Sequence, residues 1–205
     1  MRRIALSLLI ATGLGACASN EMSHDRAATA VQAEARSAAL ADRFQKDLLG
    51  ALTAAMAAEG PEGAIGVCSR IAPALAAQLS EESGAIVRRT ALRTRNPAAL
   101  ADATERHVME SWTDAPLDEN GRPKQWSAME GGTFRYMRAI PTMPMCLACH
   151  GEAIAPEVRA AIRAHYPADE ATGFRPGQLR GAFSIRWDEA ALSRATGVGA
   201  ATIDP

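Results

Sequence analysis

Aromatic side chains are scarce in this sequence, 4% of its 205 residues, and alanine takes much of the room they leave. A core built from such small residues is thin, helices should be plentiful, and a large bound group would help to fill the interior. Net charge is nearly absent too. The 22 basic and 23 acidic residues leave −1 at neutral pH, which argues against a nucleic-acid binder held by phosphate contacts. No apolar run reaches the roughly 20 residues that a membrane-spanning helix needs, and no internal repeat is present. Hydrophobic residues at 48% and charged residues at 22% are an ordinary globular balance, so wholesale disorder is excluded and the length suits one domain with a tail. Cysteine is sparse as well. Its four positions, Cys17, Cys68, Cys146 and Cys149, each take a separate chemical reading.

The chain opens Met1-Arg2-Arg3, continues with the apolar run from Ile4 to Leu14, and reaches Gly15-Ala16-Cys17. A basic start, a short apolar stretch and small residues before a cut describe an export signal over 1–16. Leu14-Gly15-Ala16-Cys17 also resembles a bacterial lipobox, in which the peptide is cut before a cysteine that is then lipidated. The alternative is an ordinary signal cut near Ala16 or Ala18, giving a soluble periplasmic protein. Ala18, not an acidic residue, follows Cys17, which favours the outer membrane, at its periplasmic face. Outside the cytoplasm thiols oxidise or are put to use, so every remaining cysteine calls for a role.

Residues 18–27 are small and polar and read as a tether, with residues 17–36 the lipidated cysteine, the tether and the start of a first helix. From Ala28 to Glu59 the pattern is helical, with Leu40, Phe44, Leu48, Leu52 and Met56 recurring every fourth residue. Gly60-Pro61 ends it. A second helix over 62–83, restarted at Pro73, places Ile65, Cys68, Ile71, Ala72, Leu75 and Leu79 on one side, and Gly84 caps it. Strands are expected over 85–92, 133–140 and 179–187, helices over 102–112 and 156–166, and Asp188 as the cap of a last short helix. Asp118 to Gly121 carries an Asn-Gly turn signal. Helices in front of antiparallel strands define an α+β domain over 37–190, with 191–205 a C-terminal tail.

Cys146-Leu147-Ala148-Cys149-His150 is the strongest motif. A C-x-x-C-H run is the attachment site of a c-type haem: two thiols reach the two vinyl groups of one porphyrin, and the adjacent histidine becomes an axial ligand of the iron. A thioredoxin-type pair would sit beside a βαβ pattern, which is missing. A zinc site needs four ligands, and no second paired motif exists. One such motif implies one haem c. The second axial position is open on sequence grounds. The eight methionines, among them Met109, Met129, Met143 and Met145, compete with His24, His107, His165 and Cys68. Cys68 has no disulfide partner once the other three cysteines are assigned, and its alternative role is a small buried packing residue.

Several blocks together resemble a known family. They are Ala64 to Pro73, Leu79 to Gly84, Arg88 to Pro97, Ala139-Ile140-Pro141, Cys146 to Gly151, Tyr166 to Asp169, Ala171-Thr172-Gly173 and Leu179 to Ala182. In this order they resemble the PAS-like mono-haem c-type cytochromes, long classed as a domain of unknown function, over residues 37–190. Ala98-Ala99 and Thr104-Glu105 depart from the family's usual asparagine and tryptophan–glutamate positions. The resemblance implies a PAS-like antiparallel sheet flanked by helices, behind a long N-terminal helix. It also implies iron held between His150 and the thiolate of Cys68.

Arg88, Arg89, Arg93 and Arg95 are candidate partners for haem propionates, because guanidinium matches carboxylate geometry. Tyr136 and Tyr166 are weaker candidates, and Trp112, Trp126 and Trp187 read as packing residues. The leading function is an anchored electron carrier or redox sensor working with an unnamed redox partner protein. The alternatives are a gas or small-ligand sensor in which Cys68 is displaced, and a haem enzyme of the peroxidase kind. No distal His/Arg pair supports an enzyme.

Overall fold

The computed structural model describes residues 15–197, with side chains from residue 27 onward. The expected signal residues 1–14, the side chains of Cys17 and His24, and residues 198–205 lie outside the described residues. A helix, α1, spans Gly15–Gly66. Its backbone already covers residues 18–27, so the segment read as a tether is helical. Gly60 leaves the helical range at φ 70°, ψ −172°, a break at the expected place, and Pro61 starts the next turn where its missing N–H costs nothing. The four-residue stripe of α1 divides its work. Phe44 and Leu48 are buried in the main core, whereas Leu48, Leu52 and Met56 line a cavity.

A π turn over Val67–Ile71 follows, and α2 spans Ala72–Ser83. The Ala72 amide donates to the Val67 carbonyl, a five-residue step. This extra residue breaks the expected α-helical face: Val67 is buried and Ile71 is 39% exposed. Cys68 sits inside the turn. Such insertions leave no spacing signature in sequence and cluster at functional sites.

Strand β1 is Ile86–Thr90, β2 Gln125–Glu130, β3 Thr133–Pro141 and β4 Leu179–Trp187. They form one antiparallel sheet in the order β1-β4-β3-β2. The fold is therefore α+β with a long N-terminal helix, as the sequence implies. β2 was not expected. It is an edge strand without clear alternation, joined to β3 by a two-residue turn at Gly131-Gly132. Both glycines hold positive φ, 55° and 84°, which is what a tight hairpin requires. Trp126 and Met137 face each other across this pair.

The sheet has two covered faces. Val87, Phe134, Tyr136, Phe183, Ile185 and Trp187 pack against α1, α2 and α6, the last spanning Glu189–Thr196. Ala191 and Leu192 of α6 are buried there, so packing continues past residue 190 into the expected tail. Trp187 Nε1 donates to Ser37 Oγ at 2.8 Å, and Arg138 Nη1 donates to Asp42 at 2.6 Å, tying β4 and β3 to α1. On the other face Met137, Ala139 and Ala182 pack against Val108, Met109 and Trp112. Val108 and Met109 come from α3, Ala103–Glu110, whose N-terminus carries a full capping box between Asp102 and Glu105. Losing such a cap costs about 0.5–2 kcal/mol.

Alternation along β4 fails at one point. Ile140 pairs with Gly181, but Pro141 pairs with Leu179. Arg180 is thus an extra residue, and its insertion reverses the phase of the strand end. Leu179 joins the α3-side cluster, and Arg180 is aimed into the cavity beneath α1. Bulges of this kind recur beside functional sites because they re-aim one side chain.

Candidate functional site

One cavity gathers most of the sequence-selected residues. It holds about 1090 Å³ of atom-free space, its open mouth included. Leu48, Leu49, Leu52 and Met56 of α1 form one wall; Ile140, Gly181 and Phe183 of the sheet form another. Cys68 enters from the π turn. Cys146, Cys149 and His150 enter from a 3-10 turn, Pro144–Cys146, continued by α4, Leu147–His150. All three thiols are free and half-buried. Gly181 permits this close sheet edge, because a Cβ there would lie 2.4 Å from the Thr90 carbonyl oxygen.

His150 Nδ1 lies 2.7 Å from the Ala171 carbonyl oxygen. A carbonyl only accepts, so Nδ1 carries the proton and Nε2 keeps its lone pair. Burial holds the imidazole well below its ordinary pKa, and the charges of Arg180, Arg95 and Arg89 push the same way. The ring is thus neutral and oriented, the form a metal requires. Phe174 packs edge-on against it with centroids 6.4 Å apart. Burial also pushes the Cys149 thiol up.

The sequence-selected arginines separate. Arg88 turns to the opposite side, donating to the carbonyls of Ala98 and Leu100 and pairing with buried Glu105 at 3.7 Å. Arg93 donates to the Glu170 carbonyl and stacks on Phe174, outside the main cavity. Arg95 lines the cavity with Nε and Nη2 engaged: a two-point pair with Asp169 and a 2.6 Å bond to the Cys149 carbonyl. It positions the Cys149–His150 segment. Arg89 lines the cavity with no hydrogen bond or ion pair among the described residues, and burial lowers its pKa. Arg180, which sequence reading missed, joins it there. Burial, reinforced by Arg89 and Arg95, brings its pKa down to about 9. It stays charged at neutral pH, without a carboxylate within ion-pair reach among the described residues. A bulge inside a strand has no local sequence signal, which is why Arg180 went unread.

Exposure removes most competitors for an axial position. His107 and His165 are exposed, as are Met129 and Met143; Met109 is buried in the α3 cluster. Of the sulfur groups, Cys68, Met56 and Met145, the last 37% exposed, share the cavity with the motif. Tyr136 donates to Gln125 and is structural. Tyr166 packs beside Cys149 in a third cluster formed with α5, Pro156–His165.

The Arg95–Asp169 pair is buried on both sides, at 6% and 7% exposure. Arg95→Met is expected to cost about 3–5 kcal/mol, because it leaves Asp169 without its counter-charge and frees the Cys149 carbonyl. Urea unfolding of the two proteins measures it. A loss below about 1 kcal/mol, the range of exposed pairs, would show that the clamp is not closed in solution.

Fold and site together define an α+β domain that wraps a long kinked helix and an antiparallel sheet around one cavity bearing a C-x-x-C-H turn. The chain belongs to the Tll0287-like family, described as Tll0287, whose model matches residues 16–187. It is similar to the crystal structure of the cyanobacterial heme-protein Tll0287, with 29% sequence identity, a TM-score of 0.51, and coverage of 60% of this chain and 72% of that chain. No curated protein matches.

Proposed function

We propose that this chain is an exported mono-haem c-type cytochrome, held to a bacterial membrane through a lipidated Cys17, that transfers electrons or senses redox state. The observation that carries the reading is the donor set of the cavity. Three thiols and one lone-pair imidazole line a single apolar space, yet no three His, Cys, Asp or Glu side chains among the described residues are close enough to hold a bare metal ion. The donors surround something wider than an ion. The guanidinium of Arg89, without a hydrogen-bond or ion-pair partner among the described residues, calls for an anionic group on that same apolar body. A porphyrin with two carboxylates fits both demands. The family and the similar heme-protein support the same choice.

Cys146 and Cys149 would hold the group through thioethers, and His150 would offer Nε2 to its iron. Cys68 would supply a thiolate to the iron, in line with the family resemblance. Arg89 would take a propionate. A haem supplies a one-electron couple, and two protein ligands leave no substrate position. In this role the electron would come from a reduced partner protein and pass to an oxidised one. The basic start, short apolar run and lipobox support export and the anchor, with the outer membrane favoured. No helix among the described residues is long and apolar enough to cross a membrane.

A potentiometric titration followed by absorption tests the function. Reversible one-electron behaviour, with the oxidised spectrum regained after each cycle, is the expected result. Tight carbon monoxide binding by the reduced wild type would move the assignment to a ligand sensor. Steady turnover of peroxide would move it to an enzyme.

A further inference from the structure

A second cavity, with about 560 Å³ of atom-free space including its mouth, lies behind the first and shares Arg180 and Gly181 with it. Its remaining wall includes Arg93, Thr113, Asp114, Phe174 and Gln178. Arg93 and Arg180 both lean on the Phe174 ring, their guanidinium carbons 4.4 and 5.4 Å from its centroid. One ring thus carries two cations. Neither has a carboxylate partner among the described residues. Arg93 uses Nε on the Glu170 carbonyl, and Arg180 uses Nη1 in a 3.4 Å contact with the Arg93 carbonyl. The Nη groups of Arg93 and the Nε and Nη2 of Arg180 are left over. Gln178 adds a further donor: its Oε1 accepts from the Arg175 amide at 2.8 Å, which fixes the side-chain amide and leaves Nε2 without a partner among the described residues. Thr113 Oγ1 donates to the Met109 carbonyl and offers only lone pairs. Asp114, the carboxylate of this wall, pairs with neither arginine and is exposed.

We propose that this second cavity binds a small anion of the oxyanion or carboxylate class, held by Arg93, Arg180 and Gln178. Site formation is independent of the haem reading. A consequence that rests on that reading follows from position. Phe174 touches both the arginines and His150, and Arg180 lines both cavities. An anion here cancels positive charge next to the redox centre, favours the oxidised form and lowers the reduction potential.

Isothermal calorimetry of the mature holoprotein with inorganic phosphate, then sulfate, bicarbonate and malonate, tests the site and ranks the anion class. Phosphate should bind the wild type. Arg93→Gln should weaken it about tenfold or more, as expected for losing a charged hydrogen-bond donor. Gln178→Glu keeps the acceptor for Arg175, replaces a donor by a negative charge, and should weaken binding at least as much. Arg93 and Gln178 are exposed, so both variants should fold. Absence of binding by every probe, or equal affinity in all three proteins, overturns the site. The potential is measured in the same preparations: it should fall with added phosphate in the wild type and stay fixed in Arg93→Gln. An unchanged wild-type potential with phosphate bound overturns the coupling. Haem content is read separately from absorbance, so failure of the haem assignment shows as a missing absorption band and not as a missing heat of binding.

Discussion

Cys146→Ser combined with Cys149→Ser should yield protein with no covalently attached haem, and each single replacement should reduce the attached fraction sharply. The argument starts from spacing. The two thiols stand three residues apart at the start and within the short helix α4, both on the wall of the same cavity. A thioether needs a thiol, and serine offers none. The fold itself should survive, because neither cysteine is bonded to another and both are only half-buried. A denaturing gel stained for haem-dependent peroxidase activity checks this, with the wild-type band present and the double-mutant band absent. A stained band of normal strength in the double mutant would end the covalent claim.

Cys68→Ala carries the second large effect. Cys68 shares the cavity with His150 and belongs to a separate element, the π turn between α1 and α2. Coordination to a metal deprotonates a thiol, and a thiolate donates more electron density than a thioether or an empty position. Its removal should raise the reduction potential by on the order of 0.1 V or more, a fraction of the roughly 0.8 V that axial ligands span. The variant should also take up carbon monoxide at concentrations that leave the wild type unchanged. As ligand, Cys68 should lose part of its hold on reduction, when the metal would carry one positive charge fewer. Cys68→Met should raise the potential as well. Electron paramagnetic resonance of the oxidised proteins, with a redox titration, decides it. Identical spectra and potentials for wild type and Cys68→Ala would make Cys68 a packing residue and turn attention to Met56 and Met145, the other sulfurs on the wall.

Sequence reading located these groups unevenly, for physical reasons. Cys146, Cys149 and His150 are adjacent in the chain, so their chemistry is local and legible. Cys68 was singled out by elimination and by resemblance, but the π turn that aims it was invisible: the helical pattern put Ile71 on its buried side, and one inserted residue left Ile71 exposed. The arginines show the limit most clearly. Arg88 to Arg95 look equivalent in sequence, yet strand alternation sends Arg88 to Glu105 and Arg89 to the cavity. Arg180 depends on a bulge whose existence is decided by β3 across the sheet. Strand β2 had one usable signal, the Gly131-Gly132 pair, since its own side chains are too evenly exposed to alternate. In α1 the fourfold stripe was clear, but only packing shows where it passes from core, at Phe44, to cavity wall, at Met56.

The cavity is proposed to hold one porphyrin bound through both motif cysteines. The most direct test is mass spectrometry of a tryptic digest of the mature exported protein. Cleavage after Arg138 and Arg159 releases one peptide carrying Cys146, Cys149 and His150. The account predicts that this peptide appears with the added mass of one haem, and that neither cysteine in it can be alkylated. Recovery of the peptide unmodified, with both thiols open to alkylation, would contradict it.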